Sequence, residues 1–127
     1  MGKDERRQGS SIGRLKRRAD FLRVAAARRK WAAPGLILQA APQPESTEEA
    51  SVRVGFTASR KVGNAVKRNR ARRRLKALAA EMLTSGVNPG LDLVLIARPA
   101  TVDRPFDELR RDLQQSLNRV KAARKPH

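Results

Sequence analysis

The run from Arg60 to Lys76 carries nine Lys or Arg in seventeen residues and no acid, and the nearest carboxylates are Glu49 before it and Glu81 after it. Like charges packed this densely repel one another unless bulk water or polyanionic phosphate surrounds them. Whatever element carries the run must therefore keep much of its surface out of a core. From Lys67 onward the residues are good helix formers, and neither Pro nor Gly interrupts the chain from Asn64 to Ser85. The spacing predicts one arginine-rich helix over 64–83, entered through a short turn at Gly63.

At about 100° per residue, Ala71, Leu75, Leu78, Ala79 and Met82 share one face, which should be buried. Followed back, the same line meets Arg72, Arg68 and Asn64. The second half of the helix thus packs on a core, while the first turns carry charge where core residues would stand. Arg70 and Arg73 point elsewhere, with Asn69 near them. Cations on more than one side suit an RNA surface better than a flat membrane, which needs one apolar face opposite one charged face. No Asp or Glu is interleaved to form i,i+4 pairs, so a solvated face laced with ion pairs is a poor description.

The rest of the composition narrows the chemistry. The chain has 127 residues, enough for one domain with a modest core. It has no cysteine, and its one histidine is His127, so neither a thiolate metal site nor a histidine base can be assembled. No bound metal or other cofactor and no catalytic residue is expected on the protein itself. The formal charge of +17 points to nucleic acid. No apolar run reaches membrane-spanning length and no signal-peptide core is present, which predicts a cytoplasmic protein without membrane contact. The cations come in two blocks, eleven among residues 1–30 and nine among residues 60–81, and a groove between the blocks is expected.

Taken in order, residues 1–13 read as a loose basic arm, 14–121 as a single domain and 122–127 as a basic tail. A helix is expected from near Arg17, with Phe21, Val24 and Ala25 on one face. Phe21 reads either as core or as a partly exposed ring for a base to stack on. Arg28-Arg29-Lys30-Trp31 is a basic link. Residues 36–41 form a strand, 42–50 an acidic, proline-bearing loop, and 51–59 an alternating strand. That strand turns Val52, Val54, Phe56 and Ala58 to one side and Arg53, Gly55, Thr57 and Ser59 to the other, leaving small residues where a ligand backbone could approach. The two strands are expected to pair antiparallel. Residues 91–97 form a strand covered on both faces. The order strand, helix, strand makes a βαβ unit, right-handed by the general rule. A last helix is capped by Asp103 or Arg104, carries Pro105 in its first turn and buries Phe106, Leu109, Leu113, Leu117 and Val120.

The run Arg53-Val54-Gly55-Phe56-Thr57-Ala58-Ser59-Arg60-Lys61-Val62-Gly63-Asn64-Ala65-Val66-Lys67-Arg68-Asn69-Arg70-Ala71-Arg72-Arg73 resembles the signature of the bacterial ribonuclease P protein component. The likeness extends to Arg14-Leu15-Lys16 with Ala19-Asp20-Phe21, to Pro89-Gly90-Leu91-Asp92 and Ile96-Ala97-Arg98-Pro99, and to Phe106-Asp107-Glu108-Leu109, in the family's order. It implies an α+β fold of helices on a mostly antiparallel four-stranded sheet, with a left-handed βαβ crossover instead of the right-handed default. It implies a monomeric protein that docks on a catalytic RNA subunit and holds the 5′ leader of precursor tRNA while the RNA, served by magnesium, cuts the leader off. By the same resemblance, Arg68, Asn69, Arg70, Arg72, Arg73 and Lys76 would meet the catalytic RNA. Phe21, Thr57, Ser59 and Lys61 would line the leader cleft, with Arg98 near it.

The chain departs from that pattern in places. Ala25 and Gln39 stand where the family often has aromatics, Ala71 replaces a larger aliphatic, and Arg74 occupies a commonly apolar position. The first two weaken base stacking and the last two loosen the packing expected of the arginine-rich helix. The other readings open at this point are a ribosomal-type structural RNA-binding protein, a DNA-compacting protein and an autonomous nuclease.

Overall fold

The computed structural model describes residues 12–44 and 52–123. Most of the expected N-terminal arm, the acidic part of the loop before residue 52, and the tail from residue 124 lie outside them. The elements run β1 (Ile12–Arg14), α1 (Arg18–Ala26), β2 (Arg29–Ala32), β3 (Leu36–Pro42), β4 (Val52–Thr57), α2 (Ala65–Met82), β5 (Leu91–Ala97) and α3 (Phe106–Arg119). Single 3-10 turns precede α2 at Arg60–Val62 and α3 at Pro99–Val102.

The fold is α+β, as expected, but the sheet has five strands in the order β1-β4-β5-β3-β2. It is mixed: β1 with β4 and β4 with β5 are parallel, while β5 with β3 and β3 with β2 are antiparallel. The expected direct pairing of β3 with β4 does not occur, because β5 lies between them. The apolar run 91–97 explains this, since a strand buried on both faces belongs at the centre of a sheet. The two outer strands were not expected. β1 falls in the arm and β2 in the basic link, and each is held by its neighbour more than by its own composition.

Alternation along the central strands builds a core on either side of the sheet. Leu36, Leu38, Val52, Val54, Leu93 and Leu95 face α2 and α3, meeting Ala71, Leu75 and Leu78 from the first and Leu109, Leu113 and Leu117 from the second. On the other face, Ala41 and Val94 meet Leu15 and Val24, with Phe21 and Ile96 packed at the margin. The sheet is thus sandwiched between α1 on one side and the α2–α3 pair on the other.

Helix α2 runs as the periodicity predicts. Asn64 caps it, its Oδ1 accepting from the Lys67 backbone N–H at 2.9 Å. Gly63 before it has φ +144°, and a Cβ there would come within 2.7 Å of Lys67 Cδ, so the entry turn requires glycine. Helix α3 starts later than expected. Its N-cap is Pro105, and Asp103 and Arg104 belong to the turn before it. Val120 and Ala122 are buried, so the last described residues still belong to the packed domain.

Candidate nucleic-acid interface

Helix α2 begins past the end of β4, one 3-10 turn beyond the parallel pair β4 and β5. Ala71, Leu75, Leu78 and Ala79 are buried, while Lys67, Asn69, Arg70, Arg73 and Lys76 are exposed and Arg68 and Arg72 half-buried. The stripe therefore breaks where the sequence said it would. Among the described residues, Lys67, Arg68, Arg72, Arg73 and Lys76 have no carboxylate within ion-pair distance. Arg72 Nη2 donates to Asn69 Oδ1 at 2.6 Å, which fixes both side chains on one flank. Val66, Asn69, Arg72, Arg73 and Lys76 line a shallow groove of about 480 Å³, and Arg70, Arg73, Arg74, Ala77 and Phe106 a second of about 290 Å³. Arg73 stands between the two.

Two arginines of the run reach back to main-chain carbonyls of the protein. Arg70 Nε donates to the Val102 carbonyl at 2.9 Å. Arg74 Nη1 donates to the Thr101 carbonyl at 2.6 Å and its Nη2 to the Arg104 carbonyl at 2.5 Å. Arg74 also lies over the Phe106 ring, whose centroid is 5.8 Å away. Burial, followed by the neighbouring Arg70 cation, pulls the Arg74 guanidinium below its ordinary value. The expectation that Arg74 loosens the packing is thus corrected: its long side chain reaches carbonyls left open by the 3-10 turn and fastens α2 to the turn. Arg70 is half committed in the same way, with Asp103 3.9 Å away.

The residues expected to line a leader cleft lie on the α1 side of the sheet and past the ends of β4 and β5. Phe21 lies over Gly55, where a Cβ would meet the ring at 2.6 Å. The room that Gly55 was expected to offer a ligand is therefore filled by Phe21, which is half-buried. Arg53, on the same face, is drawn down to Asp92. Its Nε and Nη2 reach the two carboxylate oxygens at 2.8 and 2.7 Å. That bond, opposed by burial, raises the Arg53 guanidinium above its ordinary value. Arg23 from α1 also donates to Asp92, as well as to the Pro42 carbonyl at 2.8 Å. What stays open is the next row along the strands, where Thr57 is in register with Ile96 and Ile96 with Ile37, all three half-buried.

Ser59 and Lys61 continue from β4 at the end of this row, both exposed, and Ser59 Oγ accepts from the Lys61 backbone N–H at 3.3 Å. Because β4 and β5 run parallel, Arg98 leaves the sheet at the same end. Its Nη1 donates to the Ala33 carbonyl at 2.7 Å, and its backbone N–H donates to Thr101 Oγ1. Thr101 Oγ1 in turn donates to the Gly35 carbonyl at 2.5 Å, and Gly35 N–H donates to Asp112 Oδ2 at 3.0 Å. Arg104 also donates to Asp112, which raises its guanidinium above the ordinary value. Arg98 thus sits beside the row while bracing the β2–β3 turn. Thr101, Asp112 and Gly35 escaped the sequence reading because their partners lie far away along the chain.

Among the described residues, no three His, Cys, Asp or Glu side chains gather as a metal site, and no helix is long and apolar enough to cross a membrane. The arrangement offers a cationic helix face and, on the α1 side of the sheet, a narrow strip across the strands. Both fit a polyanion: phosphates on the guanidinium and ammonium groups, and an extended strand along the strip.

Comparison with known proteins agrees with this geometry. The Ribonuclease P family profile matches residues 11–121. The ribonuclease P protein component of Paramagnetospirillum magneticum is 57% identical over 117 residues, covering 91% of this chain and 88% of that protein. That of Ruegeria pomeroyi is 47% identical over 114 residues, covering 89% and 90%. Among solved structures, the RNase P protein of Staphylococcus aureus superposes with a TM-score of 0.71 at 24% identity, covering 87% of this chain and 97% of that one. The Thermotoga maritima protein gives 0.66 at 22% identity, covering 80% and 92%. These two likenesses concern the fold.

Proposed function

The chain belongs to the bacterial ribonuclease P protein family and is the protein component of that endoribonuclease, and we propose that its two cationic surfaces serve two different RNAs. Arg68, Asn69, Arg72, Arg73 and Lys76 hold the catalytic RNA, with Arg70 taking part through whatever donors the Val102 carbonyl leaves free. Phe21, Thr57, Ser59 and Lys61, with Arg98 at the end of the strip, hold the single-stranded 5′ leader of precursor tRNA.

The observation that carries this reading is the basic flank of α2, without a carboxylate in ion-pair distance among the described residues, together with the half-buried row Thr57–Ile96–Ile37 on the α1 side of the sheet. Five cations without a carboxylate within reach are open to phosphate, and the strip on the α1 side admits a strand without reading its bases. Leaders of varied sequence are tolerated accordingly. Cleavage itself is carried by the RNA with magnesium organised by the RNA, and the protein acts as a monomer alongside it in the cytoplasm. The same reading includes a left-handed crossover from β4 through α2 to β5 and a single domain that takes in β1 and Ala122, at both ends wider than the expected 14–121. Family membership sets the ribosomal-type alternative aside.

The test is a comparison of binding. With the catalytic RNA present, Lys61→Ala should weaken precursor tRNA binding severalfold and leave mature tRNA binding nearly unchanged. Equal losses for both would remove Lys61 from the leader path.

A further inference from the structure

Two helices, α1 and α3, end in the same unusual way. Arg28 follows the last turn of α1 with φ +60°, and Lys121 follows the last turn of α3 with φ +61°. At both positions the backbone N–H closes back on the helix, Arg28 to the Ala25 carbonyl at 3.3 Å and Lys121 to the Asn118 carbonyl at 3.2 Å. The Ala122 N–H completes the second closure on the Leu117 carbonyl at 2.9 Å. This left-handed helix-ending position is normally glycine, because a Cβ there is disfavoured. They are the only non-glycine residues with positive φ among those described, and both are cations.

The fold brings the two endings to one place. Arg29, the residue after Arg28, donates through Nε to the Val120 carbonyl at 2.7 Å and through Nη2 to the Lys121 carbonyl at 3.1 Å. Between them runs β2, an edge of the sheet, on which Lys30 pairs in register with Gln39. Arg28, Lys30 and Lys121 are exposed and have no carboxylate in ion-pair distance among the described residues. Nor does the sequence supply one nearby: no acid occurs from Phe21 to Pro44 or from Leu113 to His127.

We propose that this edge is a second leader-binding surface, which takes the phosphates of upstream leader nucleotides after they leave the cleft. The inference rests on the reading of the cleft given above. Continuity supports it. The open row runs from Ile37 on β3 to its register partner Ala32 on β2, the outer strand, and Lys30 is the next residue of β2 on that face, about 7 Å back along the edge. A single strand that crosses the row and turns along β2 at Ala32 meets Lys30 and then Arg28, with Lys121 across the edge beside Arg29. A cation past a helix end also meets the negative end of the helix dipole, and a charged edge strand resists pairing with another chain. Neither purpose requires the cation at the one position where glycine is preferred.

That conflict makes the test decisive. Arg28→Gly and Lys121→Gly relieve the backbone while removing the charge, and Lys30→Ala completes the set. Holoenzyme carrying the triple variant is measured against mature tRNA, a precursor whose leader ends within the cleft, and a precursor with a long leader, across a salt series. The expected result is an unchanged or higher melting temperature, unchanged binding of mature tRNA and short-leader precursor, and loss of long-leader affinity on the order of tenfold. The salt slope should become shallower by about 1 per lost phosphate contact. Unchanged long-leader affinity overturns the proposal. So does an equal loss with short leaders or in assembly with the catalytic RNA, which assigns the edge to that RNA instead. The cleft reading fails separately, if the unsubstituted protein gives no preference for the short-leader precursor over mature tRNA.

Discussion

The Asp92 carboxylate, fully buried on the central strand, is gripped by both donor edges of Arg53 from the neighbouring strand, at 2.8 and 2.7 Å. Arg23 from α1 closes the cluster from above, and Asp20 lies 3.8 Å from Arg53. These charges balance one another, so Arg23 and Arg53 are spent within the protein and do not add to the surface that meets RNA. Removing the carboxylate leaves two arginines facing an apolar layer. Asp92→Ala should cost about 3 kcal/mol of stability, at the low end for a broken buried pair because both arginines keep some water contact. Urea unfolding of the free protein measures it.

Arg74 and Arg73 are adjacent cations in opposite surroundings, the first bonded to carbonyls and the second exposed. Arg74→Ala removes two bonds to carbonyls and should destabilise the protein by about 2 kcal/mol, leaving the salt slope of assembly with the catalytic RNA unchanged. Arg73→Ala should leave stability within about 0.5 kcal/mol and flatten that slope by about 1. Filter binding across a salt series, together with thermal melts, separates them.

Gly55 sets the height of the cleft wall. A methyl group there meets the Phe21 ring at 2.6 Å, and the ring must tilt away from the sheet. Gly55→Ala should cost about 1–3 kcal/mol by overpacking and narrow the difference in affinity between precursor and mature tRNA. A melt and a competition binding assay read the two effects; a variant with full stability would mean that the ring has room to move.

Gly35 is more tightly enclosed. Its Cβ position lies 2.5 Å from both Asp112 Oδ2 and Leu109 Cδ2, and its own backbone bonds to Asp112 and Thr101. Gly35→Ala should be the more damaging of the two glycine substitutions, at about 3 kcal/mol or more. Comparison of their urea midpoints ranks them.

Arg68→Ala combined with Arg73→Ala should weaken assembly with the catalytic RNA and lower the salt slope by about 2, since neither guanidinium has a carboxylate to return to. An unchanged slope in the double variant would remove the exposed flank of α2 from the RNA contact.

Much of this molecule was legible in the order of its residues. The stripe on α2 marked both where the helix enters the core and where it leaves, because helical periodicity is local. The alternation of β4 and the apolar run of β5 were local too. β2 was hidden, since Arg29-Lys30-Trp31-Ala32 has no apolar alternation and becomes a strand only by pairing with β3. The adjacency of β3 and β4 was misjudged because β5, made much later in the chain, inserts between them. The same distance in sequence concealed Arg74: a cation at a commonly apolar position looked like a packing fault, and its carbonyl partners lie 27 and 30 residues on. Asp92 gave no sign of its burial, because its two arginines sit on other elements.

The strand inserted last governs when the protein can exist at all. β5 has β3 on one side and β4 on the other, so neither half of the sheet has its inner neighbour until residues 91–97 are available. During synthesis, the cationic helix emerges before the strand that completes its platform. For that interval the growing chain is a strongly basic polymer without a finished fold, open to any polyanion in reach. Its earliest encounters with nucleic acid therefore precede the shape that makes them selective.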